Sequence, residues 1–141
     1  MITVLNQEIE QMTQMVRNFV ENEVEPYAQQ IEDLDEIPQH LIEQVKELGL
    51  FGMSIPEEYG GIGLGMVGKA AVLEQLGRTH NGFVSLISAH TGIGSTGLVR
   101  LGSDYIKDKY LPDLATGNKI AAFALSEPGA GSDATNLATR A

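Results

Sequence analysis

The apolar residues Ile9, Met12, Val16, Phe19, Val20 and Val24 recur at steps of three and four. That period matches a helical turn and gathers them into one stripe, so the chain must open with an amphipathic helix that buries a face. Pro26 is expected to end or kink it, and the acidic run EDLDE at 32–36 reads as a solvated connection. Pro38 suits the first turn of a second helix, with Leu41, Ile42, Val45 and Leu48 on one face and Gly49 as its C-cap. The glycine-rich YGGIGLG breaks the chain before a third helix through Ala70, Leu73 and Leu76. A fourth runs from about Phe83 towards Val99. A fifth starts near Ser103, a good N-cap, and buries Ile106, Tyr110 and Leu114. Only Lys119 to Leu125 reads as a strand, with β-favouring Ile120 and Phe123 among three alanines. The expected fold is mostly α, a bundle of about five helices that ends in one strand.

A chain of 141 residues suits a single domain with a real core. The 19 acidic residues outnumber 9 basic ones, giving a net charge of −10. Unassisted binding to a phosphate backbone needs clustered Lys and Arg, so nucleic acid is an unsuitable partner. Cysteine is absent, which excludes disulfides, thiolate catalysis and cysteine-ligated metal. No apolar run reaches membrane-span length, and MITVLNQEIEQ lacks the features of a signal or transit peptide. A cytoplasmic bacterial protein is the simplest expectation.

Several segments imitate chemistry. GIGSTG at Gly92–Gly97 matches G-x-G-x-x-G, with FVSLISA before it and KIAAFALSE placed as a second strand. A dinucleotide-binding βαβ unit is therefore an alternative, although Gly102 and Ser103 cut its helix and no third strand follows. GLGMVG at Gly63–Gly68 matches the same pattern without a preceding strand, which shows how cheap the match is in a chain with 16 glycines. His40, His80 and His90 lack ligand spacing on one helix face, so no metal site is expected. His90, inside an apolar helix, reads as a hydrogen-bonded core residue. Glu127 and Asp133 are poor candidates for an acid–base pair, because a Pro-Gly turn seldom orients two carboxylates well. No G-x-S-x-G elbow and no Walker lysine is present.

The remaining segment is SEPGAGSD, Ser126 to Asp133, which follows the apolar Ile120–Leu125. A proline and two glycines make a tight turn with outward N–H groups, and hydroxyls stand at Ser126 and Ser132. Carbonyl and phosphate oxygens of a ligand suit such a turn without any charged side chain. AAFALSEPGAGSD resembles the signature segment of the acyl-CoA dehydrogenases, flavoenzymes that desaturate acyl-CoA thioesters. IPEEYGGIGLG at 55–65, RLGSDYIKDKYLPDLATGNKIAAFALSEP at 100–128 and VRNFVENEVEP at 16–26 are similar to that family too, in order.

The resemblance implies about the first third of such an enzyme: an N-terminal helical domain over 1–118 and the start of a middle β-domain over 119–141. It implies FAD as cofactor, with Phe123, Ala124, Leu125, Ser126 and Ser132 along it. Main-chain groups near Leu125 and the Ser126 hydroxyl would bond the isoalloxazine edge; many relatives carry Thr at that position. The Ser132 hydroxyl would also meet the acyl-CoA thioester. The glutamate that removes the α-proton while hydride passes from the β-carbon to flavin N5 belongs to the family's C-terminal domain, so no catalytic residue is assigned here. Cations for the CoA phosphates are likewise expected elsewhere. An electron-transfer flavoprotein as electron acceptor and a homo-oligomer, dimer or tetramer, are also implied. In the family the fourth helix lines the far end of the acyl cavity; Ser85, Ser88, Ala89 and Gly92 share one face there and are all small. Such a face serves long acyl chains or tight helix packing equally well, and the wording SAHTGIGSTG resembles the long-chain and very-long-chain branch. A helical binding module without catalysis remains the alternative from a different class.

Overall fold

The structure, a computed structural model, describes residues 7–140. Its first rod begins with α1 (Gln7–Phe19), whose apolar stripe buries Val16 and Phe19. Without a break the chain runs through a π turn (Val20–Val24) and a 3-10 turn (Glu25–Tyr27) into α2 (Ala28–Leu34). Pro26 therefore does not end the rod. It withholds one N–H from the carbonyl four residues back, and the chain accommodates it by widening and then tightening its turns. That carbonyl belongs to the exposed Asn22, where water can satisfy it. The run EDLDE is only partly a connection: Glu32 to Leu34 are helical, and Asp35 turns the chain with φ 51°.

Helix α3 (Gln39–Glu47) follows Pro38 and buries Leu41 and Val45, with Gly49 beyond it at φ 68°. Two 3-10 turns, Leu50–Gly52 and Glu57–Tyr59, lead to α4 (Met66–Leu76). The third helix runs through Ala70, Leu73 and Leu76 as expected. Its buried face holds Gly68, Val72, Gln75 and Leu76, while Ala70 is exposed and Leu73 half-buried. The reason lies on α1: Arg17 Nε donates to Gln75 Oε1 at 2.9 Å, and Ile9 packs against Gly68. A count of apolar letters misses a stripe that includes a glycine and a glutamine.

Helix α5 (Asn81–Ala89) leads through a π turn (His90–Gly94), kinked at Gly92 with φ −95° and ψ −105°, into α6 (Ser95–Leu101), and α7 (Asp104–Ala115) closes the bundle. Ser103 Oγ caps α7 by accepting the Ile106 N–H at 3.4 Å. Leu111, Leu114 and Ala115 are buried there, with Ile106 and Tyr110 half-buried. The segments compose five rods: α1–α2, α3, α4, α5–α6 and α7. The larger core joins Val16, Leu41, Phe51, Val72, Phe83 and Ile87, with the Phe19 and Phe83 rings 6.2 Å apart. A smaller core gathers Ile55, Leu111, Leu114 and Ala115 under α7.

The expected strand is not formed. Residues 120–126 are irregular, and the one β-bridge among the described residues joins Glu127 to Ala130. A strand exists only through a ladder partner, and no described residue offers one. The dinucleotide alternative fails with it, because FVSLISA, placed as its first strand, is helical within Asn81–Ala89.

Candidate functional site

The signature begins as a hairpin-like turn. Glu127 and Ala130 exchange backbone hydrogen bonds at 3.0 and 3.1 Å across Pro128 and Gly129. Two of the N–H groups expected to face outward are thus used inside the turn. The Glu127 carboxylate also stays within the loop, accepting the Ala138 and Thr139 N–H groups at 2.7 and 2.9 Å and the Thr139 hydroxyl. Those donors, the Thr139 hydroxyl foremost, hold its pKa below the ordinary value. It is a loop staple, neither helix cap nor acid–base partner of Asp133. A motif reading misses this role because the donors lie 11 and 12 residues downstream.

Ahead of the turn, no hydrogen bond joins Ala122–Ser126 to any described residue. Phe123 and Leu125 are 53% and 41% exposed, unusual for large apolar groups beside an unpaired main chain. Ser126 and Ser132 are exposed as well. The segment is therefore a strip of free main-chain donors and acceptors, two apolar side chains and two hydroxyls.

The strip is tied to the bundle at its base. His90 is fully buried at the start of the second π turn. Its Nδ1 accepts the Ala121 N–H at 3.0 Å, and its Nε2–H donates to the Leu114 carbonyl at 3.0 Å. Since a backbone N–H only donates and a carbonyl only accepts, both contacts fix the neutral Nε2–H tautomer. Burial pushes the imidazole pKa down, against the carbonyls of Leu114 and Phe51. The Phe51 ring meets it edge-on, centroids 5.1 Å apart. The π turn hands the Ser95 N–H to the His90 carbonyl, and Lys69 Nζ donates to the Thr91 carbonyl at 2.7 Å. Burial lowers the Lys69 pKa.

Ser85 and Ala89 of α5 are exposed, while Ser88 and, in the turn beyond it, Gly92 are half-buried. The small-residue face is thus open at Ser85 and Ala89, while Gly92 lies beside Lys69 of α4. No hydrogen bond joins it to Ser126 or Ser132. The two sets are linked through His90, the residue after Ala89, and its bond to Ala121. No cluster of three or more metal-ligating side chains occurs among the described residues, and no helix there is long and apolar enough to cross a membrane.

The family model described as acyl-CoA dehydrogenase, N-terminal domain, matches residues 6–118. The chain belongs to the acyl-CoA dehydrogenases. An acyl-CoA dehydrogenase of Bacillus subtilis (strain 168) is 38% identical over 97% of this chain and 36% of its own length. The crystal structure of an acyl-CoA dehydrogenase complexed with FAD from Bacillus anthracis aligns with a TM-score of 0.82 and 42% identity. That alignment covers 94% of this chain and 23% of the other. A chain from a structure of the electron transferring flavoprotein of Acidaminococcus fermentans aligns with a TM-score of 0.88 at 30% identity, over 96% of this chain and 36% of its own. The chain thus spans little more than a third of these relatives at most, and it carries the acyl-CoA dehydrogenase helical bundle with the signature beyond it.

Proposed function

We propose that these residues form one wall of the flavin and acyl-CoA site of an FAD-dependent enzyme that desaturates acyl-CoA thioesters. The observation that carries this is the exposed strip Ala122–Ser126, apolar at Phe123 and Leu125 and ending in the Ser126 hydroxyl, directly beyond the bundle matched by the family model. A planar aromatic ring with a polar edge needs that combination: apolar surface for its face and uncharged donors for its rim. The donor set fits FAD. The flavin, when bound, supplies the two-electron oxidation of the Cα–Cβ bond. The main chain near Leu125 and the Ser126 hydroxyl orient the ring edge, with Phe123 and Ala124 alongside, and the Ser132 hydroxyl reaches the thioester. The α-proton acceptor lies outside these residues. On this reading the helical domain spans 1–118 and residues 119–141 open a β-domain. The enzyme is a cytoplasmic homo-oligomer that passes electrons to an electron-transfer flavoprotein.

Two variants of the complete enzyme test the division of labour. Ser126→Ala should weaken FAD binding by about 0.5–1.5 kcal/mol, one neutral hydrogen bond, and Ser126→Thr should be nearly silent. Ser132→Ala should raise KM for acyl-CoA more than it changes flavin content. Flavin loss with an unchanged KM in Ser132→Ala would reverse the two assignments.

Ser85, Ser88 and Ala89 leave the acyl cavity without a bulky floor, so long chains should be preferred. Each buried methylene is worth about 0.8 kcal/mol, roughly fourfold in affinity, so kcat/KM should rise from butyryl- through octanoyl- to palmitoyl-CoA. Ser88→Leu should move the optimum to shorter chains. A wild-type optimum at butyryl-CoA would show that the small face serves packing against residues outside this chain.

A further inference from the structure

We infer that His90 is a positioning residue for the flavin, acting through the Ala121 N–H rather than by touching cofactor or substrate; this rests on the function proposed above. Among the described residues no ladder holds the strip, and its reach is set where it leaves the bundle. That departure point is Ala121, four residues before Leu125 and five before Ser126. The His90 bond to Ala121 spans 31 residues of sequence and is the one hydrogen bond that joins 120–126 to the rest of the described chain.

Three features around the ring serve that bond. The Leu114 carbonyl takes the Nε2 proton and so keeps Nδ1 free as an acceptor. Gly94 lets the segment lie against the π turn, since a Cβ there would come within 2.9 Å of the Ala121 Cβ and 3.0 Å of its carbonyl oxygen. The chain kinks at Gly92, φ −95° and ψ −105°, and on either side of it Lys69 donates to the Thr91 carbonyl and Ser95 Oγ to the His90 carbonyl, at 2.7 Å each. Such a kink interrupts the helical ladder and re-aims the side chains on either side of it. A histidine needed only to fill the core would require neither the second contact nor the glycine.

The test uses three variants of the complete flavoenzyme. His90→Asn keeps an acceptor near the Nδ1 position, His90→Gln offers a donor near Nε2, and His90→Leu removes both. FAD dissociation constants, the position of the bound flavin's visible absorption band and the unfolding temperature of the apoprotein are measured for each. Positioning predicts an FAD dissociation constant raised about tenfold in the Leu and Gln variants, the scale of a part-buried donor left unpaired, with partial rescue in Asn. It also predicts a displaced flavin band in Leu and Gln that returns towards the wild-type position in Asn. Unfolding temperatures that fall while affinity and band position stay at wild-type values would overturn the inference and leave His90 a core residue. Equal flavin loss in all three, without rescue, would overturn it too. A wild-type protein that binds no flavin would instead overturn the function on which the inference rests.

Discussion

Gly61→Ala should cost the bundle about 3 kcal/mol or more and leave much of the protein unfolded or insoluble. A Cβ at Gly61 would lie 2.0 Å from the Ile55 carbonyl oxygen and 2.5 Å from its carbon, a clash with backbone rather than with a movable side chain. Ile55 cannot retreat, being fully buried in the core beneath α7. The loop cannot retreat either. Its hydrogen bonds from Ile62 to Gly52, Gly63 to Ile55 and Leu64 to Met53, at 2.9, 2.9 and 2.7 Å, fold it back on the preceding turn. Gly60 is the internal control. It has φ 83° but nothing within 4 Å of a built Cβ, so Gly60→Ala should cost only about 1–2 kcal/mol, the ordinary penalty of a left-handed residue. Urea midpoints of the two variants separate the effects, and equal midpoints would mean that the IPEEYGG loop opens freely.

The second large effect is all-or-none. Purified alone, the 141-residue chain should leave gel filtration without flavin and reduce no electron acceptor with any acyl-CoA. Cofactor pockets enclose roughly 70–90% of a ligand's surface, and one strip of main chain with two half-exposed apolar side chains encloses far less. The helices should still fold, because their core is complete around Phe51, Phe83 and Leu41, all fully buried. A flavin band at near-unit stoichiometry with the isolated chain would mean that these residues form a self-contained cofactor domain.

Much of the bundle was legible because its stripes are apolar and local. The α1 spacing, the Pro38 start, the Gly49 stop and the Ser103 cap each depend on neighbours within one turn. The burial of Gln75 on α4 is not legible locally, because it depends on Arg17, a partner 58 residues away that periodicity cannot see. Pro26 reads as an end or a kink, and the structure has irregular π and 3-10 turns there rather than an end, because the compensating turn has no letter of its own. The strand over Lys119–Leu125 is a matter of partnership rather than propensity, and the described residues supply no partner. Of the site, the signature and its hydroxyls were legible as a motif. The His90 bridge was visible only as a core histidine, since its acceptor and donor lie 24 and 31 residues on. The Glu127 staple left no local signal at all.

The central claim is that this chain supplies a wall where an acyl thioester meets a flavin. It is tested most directly by titrating the complete flavoprotein with acyl-CoA in the absence of oxygen. The expected result is bleaching of the flavin's visible band as thioester is added, with the α,β-unsaturated acyl-CoA recovered in equal amount. A protein that carries flavin but stays oxidised with butyryl-, octanoyl- and palmitoyl-CoA alike would contradict it.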